Sequence, residues 1–168
     1  TFSVGGNWTV SGAATFTEGT GTLTLNGANA QTLTNPSGET FNNLIINNTF
    51  GTRPQITLNN ATIINGLFTL TQGVVATSTS ALLTLVDGAT TNGGDADSYV
   101  DGPIRKIGND AFVFPTGDNA IWARIGISAP ATVTTEFTAQ YFDANYGNES
   151  TDGTFNDESD VEYWTLDR

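Results

Sequence analysis

Residues 8–28 read WTVSGAATFTEGTGTLTLNGA, and residues 62–89 read TIINGLFTLTQGVVATSTSALLTLVDGA. Gly12 aligns with Gly66, Phe16 with Leu70 and Gly19 with Gly73. Leu23 and Leu25 align with Leu83 and Leu85, and Gly27-Ala28 with Gly88-Ala89. Between the two copies lie FNNLIINN (Phe41 to Asn48) and QITLNN (Gln55 to Asn60). Short strands closed by Gly and Asn, repeated at this scale, describe a chain that stacks coils on one another. Apolar residues alternate with Thr, as in Thr22-Leu23-Thr24-Leu25, Phe68-Thr69-Leu70-Thr71 and Leu83-Thr84-Leu85. A period of two with β-branched partners predicts strand, and helix signals are almost absent.

Turn chemistry punctuates these strands at Asn26-Gly27, Asn35-Pro36, Asn59-Asn60, Asn65-Gly66, Asp87-Gly88 and Asn92-Gly93-Gly94. Gly and Asn tolerate positive φ and close sharp corners. A sandwich or barrel built from hairpins also fits short alternating strands. The repeat, the scarcity of charge and the recurring Asn26, Asn43, Asn48, Asn60 and Asn65 favour a solenoid over residues 1–92, with side-chain amides laddered between coils. At roughly 20–25 residues per coil this segment holds about four coils.

The texture changes after Asn92. GGDADSYVDGP is rich in Gly and Asp and reads as a boundary or a last-coil cap. AFVFP (Ala111 to Pro115), IWARIGIS (Ile121 to Ser128), TVTTEFTAQYF (Thr132 to Phe142) and VEYWTL (Val161 to Leu166) then alternate at a spacing that suits an antiparallel sandwich. The expected architecture is therefore all-β: a right-handed parallel β-helix over 1–92, followed by an acidic, antiparallel sandwich-like part over 93–168. That second part is expected to be incomplete at VEYWTLDR, which asks for a partner strand that does not follow. The acidic run DANYGNESTDGTFNDESD between them is expected to be an exposed loop.

Composition narrows function. The 168 residues contain no Cys, no Met and no His. Disulfides, thiolate chemistry, a Ser-His-Asp triad and a zinc centre are excluded within this chain. The formal charge is −12. Residues 1–86 carry only Glu18, Glu39 and Arg53, so the remaining −11 falls on residues 87–168. Such a chain repels phosphate backbones and anionic membranes, so neither nucleic acid nor membrane is an expected partner. No apolar run approaches the length of a membrane span. Strand-like sequence at both ends reads as a piece of a larger protein, and low Lys with high Thr, Asn and Gly suits an exported bacterial one.

An ordered series of motifs now stands out: GNWTVSGAATFTEGTGTLTLNGANAQTL, ETFNNLIINN, NGLFTLTQGVV, SYVDGPIRKIGNDAFVFPTGD and EYWTLD. The series resembles the repeat region of large secreted surface proteins of Bacteroidetes, which often carry a C-terminal type IX secretion sorting domain. The pair SYVDGP (Ser98 to Pro103) and FVFPTGD (Phe112 to Asp118) is its most specific part. The resemblance implies an extracellular, adhesin-like or matrix-like segment at the bacterial cell surface. It implies a parallel β-helix for the first half and brings no catalytic residues.

Candidate sites are few. Asp95, Asp97 and Asp101 form D-x-D-x-x-x-D-G, an oxygen-rich pattern suited to a weak Ca²⁺ site that departs from EF-hand spacing. Asp152, Asp157, Glu158 and Asp160 form a second acidic cluster. Glu18, Glu39, Arg53 and Asp87 are isolated in sequence, too scattered for the paired carboxylates of a glycosidase or the base-and-cation set of a lyase. Arg105 and Lys106 are expected to make weak surface pairs with Asp101 or Asp110. Trp8, Trp122, Trp164, Tyr141, Tyr146 and Tyr163 can pack inside or stack on sugar rings. Thr9, Thr15, Thr17, Thr20, Thr22 and Thr24 raise the idea of a flat ice-binding array. The expected function is a non-catalytic structural or adhesive module whose partners are other copies or neighbouring repeats, and glycans as a further class. The alternatives are a filament subunit joined by strand addition at TFSVGGNWTV or VEYWTLDR, and a carbohydrate-binding or carbohydrate-cleaving β-helix.

Overall fold

The computed structural model describes residues 1–12, 14–147 and 159–168. Among these residues every regular element is a strand, so no helix is long and apolar enough to cross a membrane. Three parallel ladders form a β-solenoid of about five turns. The first sheet stacks β1 (Phe2–Val4), β3 (Thr22–Leu25), β6 (Asn43–Asn47), β9 (Leu67–Gln72) and β12 (Thr90–Thr91). The second stacks β2 (Trp8–Thr9), β4 (Gln31–Thr34), β7 (Ile56–Leu58), β10 (Val75–Ala76) and β13 (Val100–Asp101). The third stacks β5 (Glu39–Phe41), β8 (Thr62–Ile64), β11 (Leu83–Leu85) and β14 (Ile104–Ile107).

Register follows the repeat. Leu23 pairs with Leu44 and Leu44 with Phe68, steps of 21 and 24 residues (44 − 23 and 68 − 44). Because side chains alternate across each strand, every second residue points inward and the inward residues stack in columns. Leu25, Ile46 and Leu70 form one column, and Leu33 and Leu58 belong to another; all are buried. Area removed from water along these columns is the main stabilising contribution.

The parallel ladders continue beyond Asn92. Val75 and Ala76 pair with Val100 and Asp101, and Leu83, Thr84 and Leu85 with Ile104, Arg105 and Lys106. Val100 and Asp101 then pair in parallel with Thr116 and Gly117 of β16 (Thr116–Asp118). From there the direction reverses. β17 (Ile121–Trp122) adds antiparallel to β16, and β19 (Glu136–Phe142) adds antiparallel to β14. β20 (Tyr163–Asp167) pairs antiparallel with β19, and β15 (Phe112–Phe114) forms a separate antiparallel pair with β18 (Ile125–Ile127). The antiparallel strands expected of the second half are thus added to the solenoid's own second and third sheets. The segment VEYWTLDR does have a partner strand, and it lies upstream, from Glu136 to Phe142.

Polar residues enter the interior columns. Gln31 begins the column that continues through Ile56, Val75 and Val100 to Thr116. Glu39 begins the column of Thr62, Leu83, Ile104 and Ala139. Lys106 follows Phe41, Ile64 and Leu85 in their column and pairs with the half-buried Phe137 of β19. The other residues named here are buried.

Candidate functional sites at the ends and edges

The chemistry of a solenoid concentrates where stacking stops, because terminal rungs expose unpaired backbone and apolar columns. At the N-terminal end the third sheet has no strand from the first turn among the described residues. Phe16 covers that position, meeting Trp8 edge-on with ring centroids 4.8 Å apart and Phe41 at 6.0 Å. Trp8 also meets Phe41 at 5.7 Å. Its indole Nε1 donates to Glu39 Oε2 at 2.9 Å, while Asn35 Nδ2 reaches the same oxygen at 3.4 Å. The backbone N–H of Thr40 donates to Glu39 Oε1 at 3.1 Å. Glu39 is only 4 % exposed, so these donors meet the hydrogen-bonding demand of a buried carboxylate that has no cation beside it.

Glu18 and Glu39, distant in sequence, line one cavity of about 310 Å³. Asn65 Nδ2 donates to Glu18 at 3.4 Å. Both carboxylates are engaged by neutral donors, and the pair braces the end of the solenoid. Arg53 lies elsewhere, bound to Asp97 at 3.0 Å and to the Ala96 carbonyl at 2.8 Å. Asp87 Oδ1 accepts from the Asn109 backbone.

The three aspartates of the calcium pattern have different surroundings. Asp95 Oδ1 accepts from the Asp97 N–H at 2.9 Å, and Asp97 Oδ1 pairs with Arg53. Asp101 sits in β13, and its carboxyl is raised above the usual carboxylate range, first by burial and then by the neighbouring Asp118. Among the described residues no group of three or more acidic residues converges to hold a metal. Asp152, Asp157 and Glu158 of the second cluster lie outside the described residues.

Lys106 departs from its sequence reading. It pairs with Asp110 at 3.0 Å as expected, yet it is 1 % exposed. Its Nζ also donates to the Val86 carbonyl at 2.8 Å and the Ala89 carbonyl at 2.9 Å. The strand period places Lys106 inward, directly after Leu85 in its column, so its ammonium seals carbonyls of the preceding turn. Arg105, pointing outward, pairs with Glu136 on β19 at 3.2 Å.

The Asn residues do cross between coils, mostly as amide-to-backbone bonds. Asn43 Oδ1 accepts from Leu67 N at 2.8 Å, and Asn60 Oδ1 from Asn35 N at 3.1 Å. Asn92 bonds both the N–H and the C=O of Leu70. The sequence reading missed the interior members. Gln31 Oε1 accepts from Asn48 Nδ2 and from Gly27 N, both at 2.8 Å, and Gln31 Nε2 donates to the Val4 and Gly6 carbonyls. Gln55 Oε1 accepts from Val74 N at 2.7 Å. A Gln in an alternating run looks like an outward residue, and only the register of neighbouring leucines signals otherwise.

The aromatics divide. Tyr141 is buried, its hydroxyl donating to Glu162 at 2.6 Å, and burial followed by Glu162 pushes the phenol well above its ordinary range. Trp164 lies 5.0 Å from Tyr141, and Tyr163 stacks on Phe142 at 4.6 Å with Tyr146 edge-on at 5.0 Å. These rings form the outer end of the third sheet. The threonines form no single flat array. Thr9 pairs with Thr34 in the second sheet, Thr22 and Thr24 pair with Asn43 and Ile45 in the first, and Thr15, Thr17 and Thr20 lie outside strands.

No protein-family model matches the chain, and no curated protein or solved structure shows significant similarity to it. Functional inference therefore rests on the fold and these surfaces.

Proposed function

We propose that this chain is a non-catalytic structural and adhesive module of an extracellular bacterial surface protein, a rod whose solenoid stops at a built end. The observation that carries the reading is the reversal after the fifth turn. Antiparallel strands occupy the edges that a next parallel coil needs in two of the three sheets. Solenoids require such caps for solubility. The kinship with type IX secretion substrates, the right-handed winding and the partnership with neighbouring repeats belong to this same proposal. Electron microscopy of native surface material beside the purified chain tests it. Irregular stalks on cells and single particles in solution are the expected pair. Ordered fibres with a constant subunit spacing contradict it.

A second reading, a filament subunit joined by strand addition, is favoured by one observation. β20 is an edge strand, and Trp164, Leu166 and the preceding Val161 are exposed there. Unblunted apolar edges invite pairing with another chain. Sedimentation across a concentration series separates the two readings.

A further inference from the structure

The first sheet ends one rung before the others. β13 passes to β16 and β14 to β19, whereas among the described residues β12 has a neighbour only in β9. Successive turns are tied at the corner before β12. Gly88 N donates to Asp110 Oδ2 at 2.9 Å, Asn109 N to Asp87 Oδ1 at 3.2 Å, and Lys106 Nζ to the Ala89 carbonyl. Past that corner β12 and β15 do not pair, and a groove of about 700 Å³ opens, lined by Thr90, Thr91, Asn109, Asp110, Phe112 and Arg124 among others. The volume falls in the range of small-molecule sites, about 300–1,000 Å³.

The groove carries unspent hydrogen-bonding capacity. Thr90 N donates to Gly66 O of the preceding turn, so the alternation of the strand turns the N–H and C=O of Thr91 toward the open edge. Among the described residues Asn109 spends only its backbone N–H, and its side chain is free. The carboxylate on the wall, Asp110, is already neutralised by Lys106. Arg53, Arg105 and Lys106 each pair with a carboxylate, whereas Arg124 and Arg168 have none among the described residues, and of these two only Arg124 lines the groove. The Arg124 guanidinium lies 4.5 Å from the centre of the Trp122 ring. Stacking holds the planar fork and leaves its N–H edges for an anion.

We propose that this groove binds an acidic saccharide, Arg124 taking the carboxylate or sulfate and Asn109 and Thr91 the ring hydroxyls. A guanidinium fork selects a carboxylate or sulfate bidentately. Amide, hydroxyl and backbone groups beside a small apolar floor suit a hydroxylated ring. The proposal goes beyond the structural reading above, and its failure leaves the electron-microscopy result untouched.

The test is titration of the full chain, followed by NMR and calorimetry, with a trigalacturonate, a sulfated trisaccharide, the methyl ester of the trigalacturonate and a triaspartate peptide. Expected is millimolar or tighter binding of at least one acidic sugar, with shifts at the Thr91 and Asn109 amides. Loss of charge in the ester, or Arg124→Ala, weakens it at least about tenfold, and Arg124→Lys restores part. Arg124 is exposed, so an unchanged melting curve verifies that the variants fold. Three results overturn the proposal: no binding of either acidic sugar at millimolar concentration, equal affinity for the ester or by Arg124→Ala, or tighter binding of triaspartate, which makes the groove an acidic-peptide site.

Discussion

Lys106 stands in an interior column after Phe41, Ile64 and Leu85, with Phe137 of β19 as its next neighbour. Its stem packs as a hydrophobe and its ammonium satisfies two carbonyls and one carboxylate. Lys106→Ala removes both and is expected to cost about 2–4 kcal/mol in urea unfolding. Lys106→Met keeps the stem and is expected to cost less, since Asp110 is partly exposed and regains water. Asp101 gives a test through pH. Its folded carboxyl is raised by burial and by Asp118. A raised acid carries no penalty below the usual carboxyl range, where both folded and unfolded chains are neutral. The penalty grows as pH rises and the unfolded chain ionises first, and it is complete above the folded value. Asp101→Asn should therefore raise the melting temperature at pH 7 and lose that advantage near pH 3, as thermal unfolding at the two pH values will show. An advantage that persists in acid would remove ionisation as its cause.

At the scale of elements, successive turns are held both by backbone ladders and by close approach at corners. Gly102 has φ of +117°, and a Cβ there would stand 2.5 Å from the Thr77 carbonyl oxygen on the turn below. Gly102→Ala is expected to destabilise by at least about 2 kcal/mol, whereas Gly51→Ala, with open space around it, should stay within about 0.5 kcal/mol. Gln31 ties the first turn to the second through the Val4 and Gly6 carbonyls, and the second to the third through Asn48. Gln31→Leu removes the side-chain donor from the Gly6 carbonyl and leaves the Val4 carbonyl with the Asn26 N–H alone, so hydrogen exchange should show residues 2–9 losing protection before the rest of the solenoid. The parallel strands were legible in the sequence because their Leu and Ile positions recur at coil spacing. The change of texture at Asn92 was legible too, although the parallel ladders run on to Gly117. The pairing of β14 with β19 was not legible, because alternation marks a strand and says nothing of its neighbour. For the same reason Lys106 reads as a surface residue, and its inward placement comes from register.

The whole molecule is asymmetric in charge and in edges. Nearly all of its −12 charge lies in residues 87–168, which also carry the outer edge of β20. Two copies meeting at that edge bring like charges together. Such repulsion acts over a Debye length of about 8–10 Å near physiological salt and weakens as salt is added. Phe2 lies on the unpaired side of β1, in the nearly neutral half, and is 59 % exposed. Self-pairing through β20 should therefore strengthen with sodium chloride, whereas pairing through β1 should be nearly indifferent to it. Sedimentation of the full chain at low and high salt distinguishes the two. If the filament reading holds through β20, mass rises with salt, and the double variant Val161→Asn, Leu166→Asn abolishes the rise without lowering the melting temperature by more than a few degrees, because both side chains are exposed. A single-particle mass at every salt and concentration would sink the filament reading and leave a capped rod, consistent with antiparallel strands that stop growth by occupying the last rung.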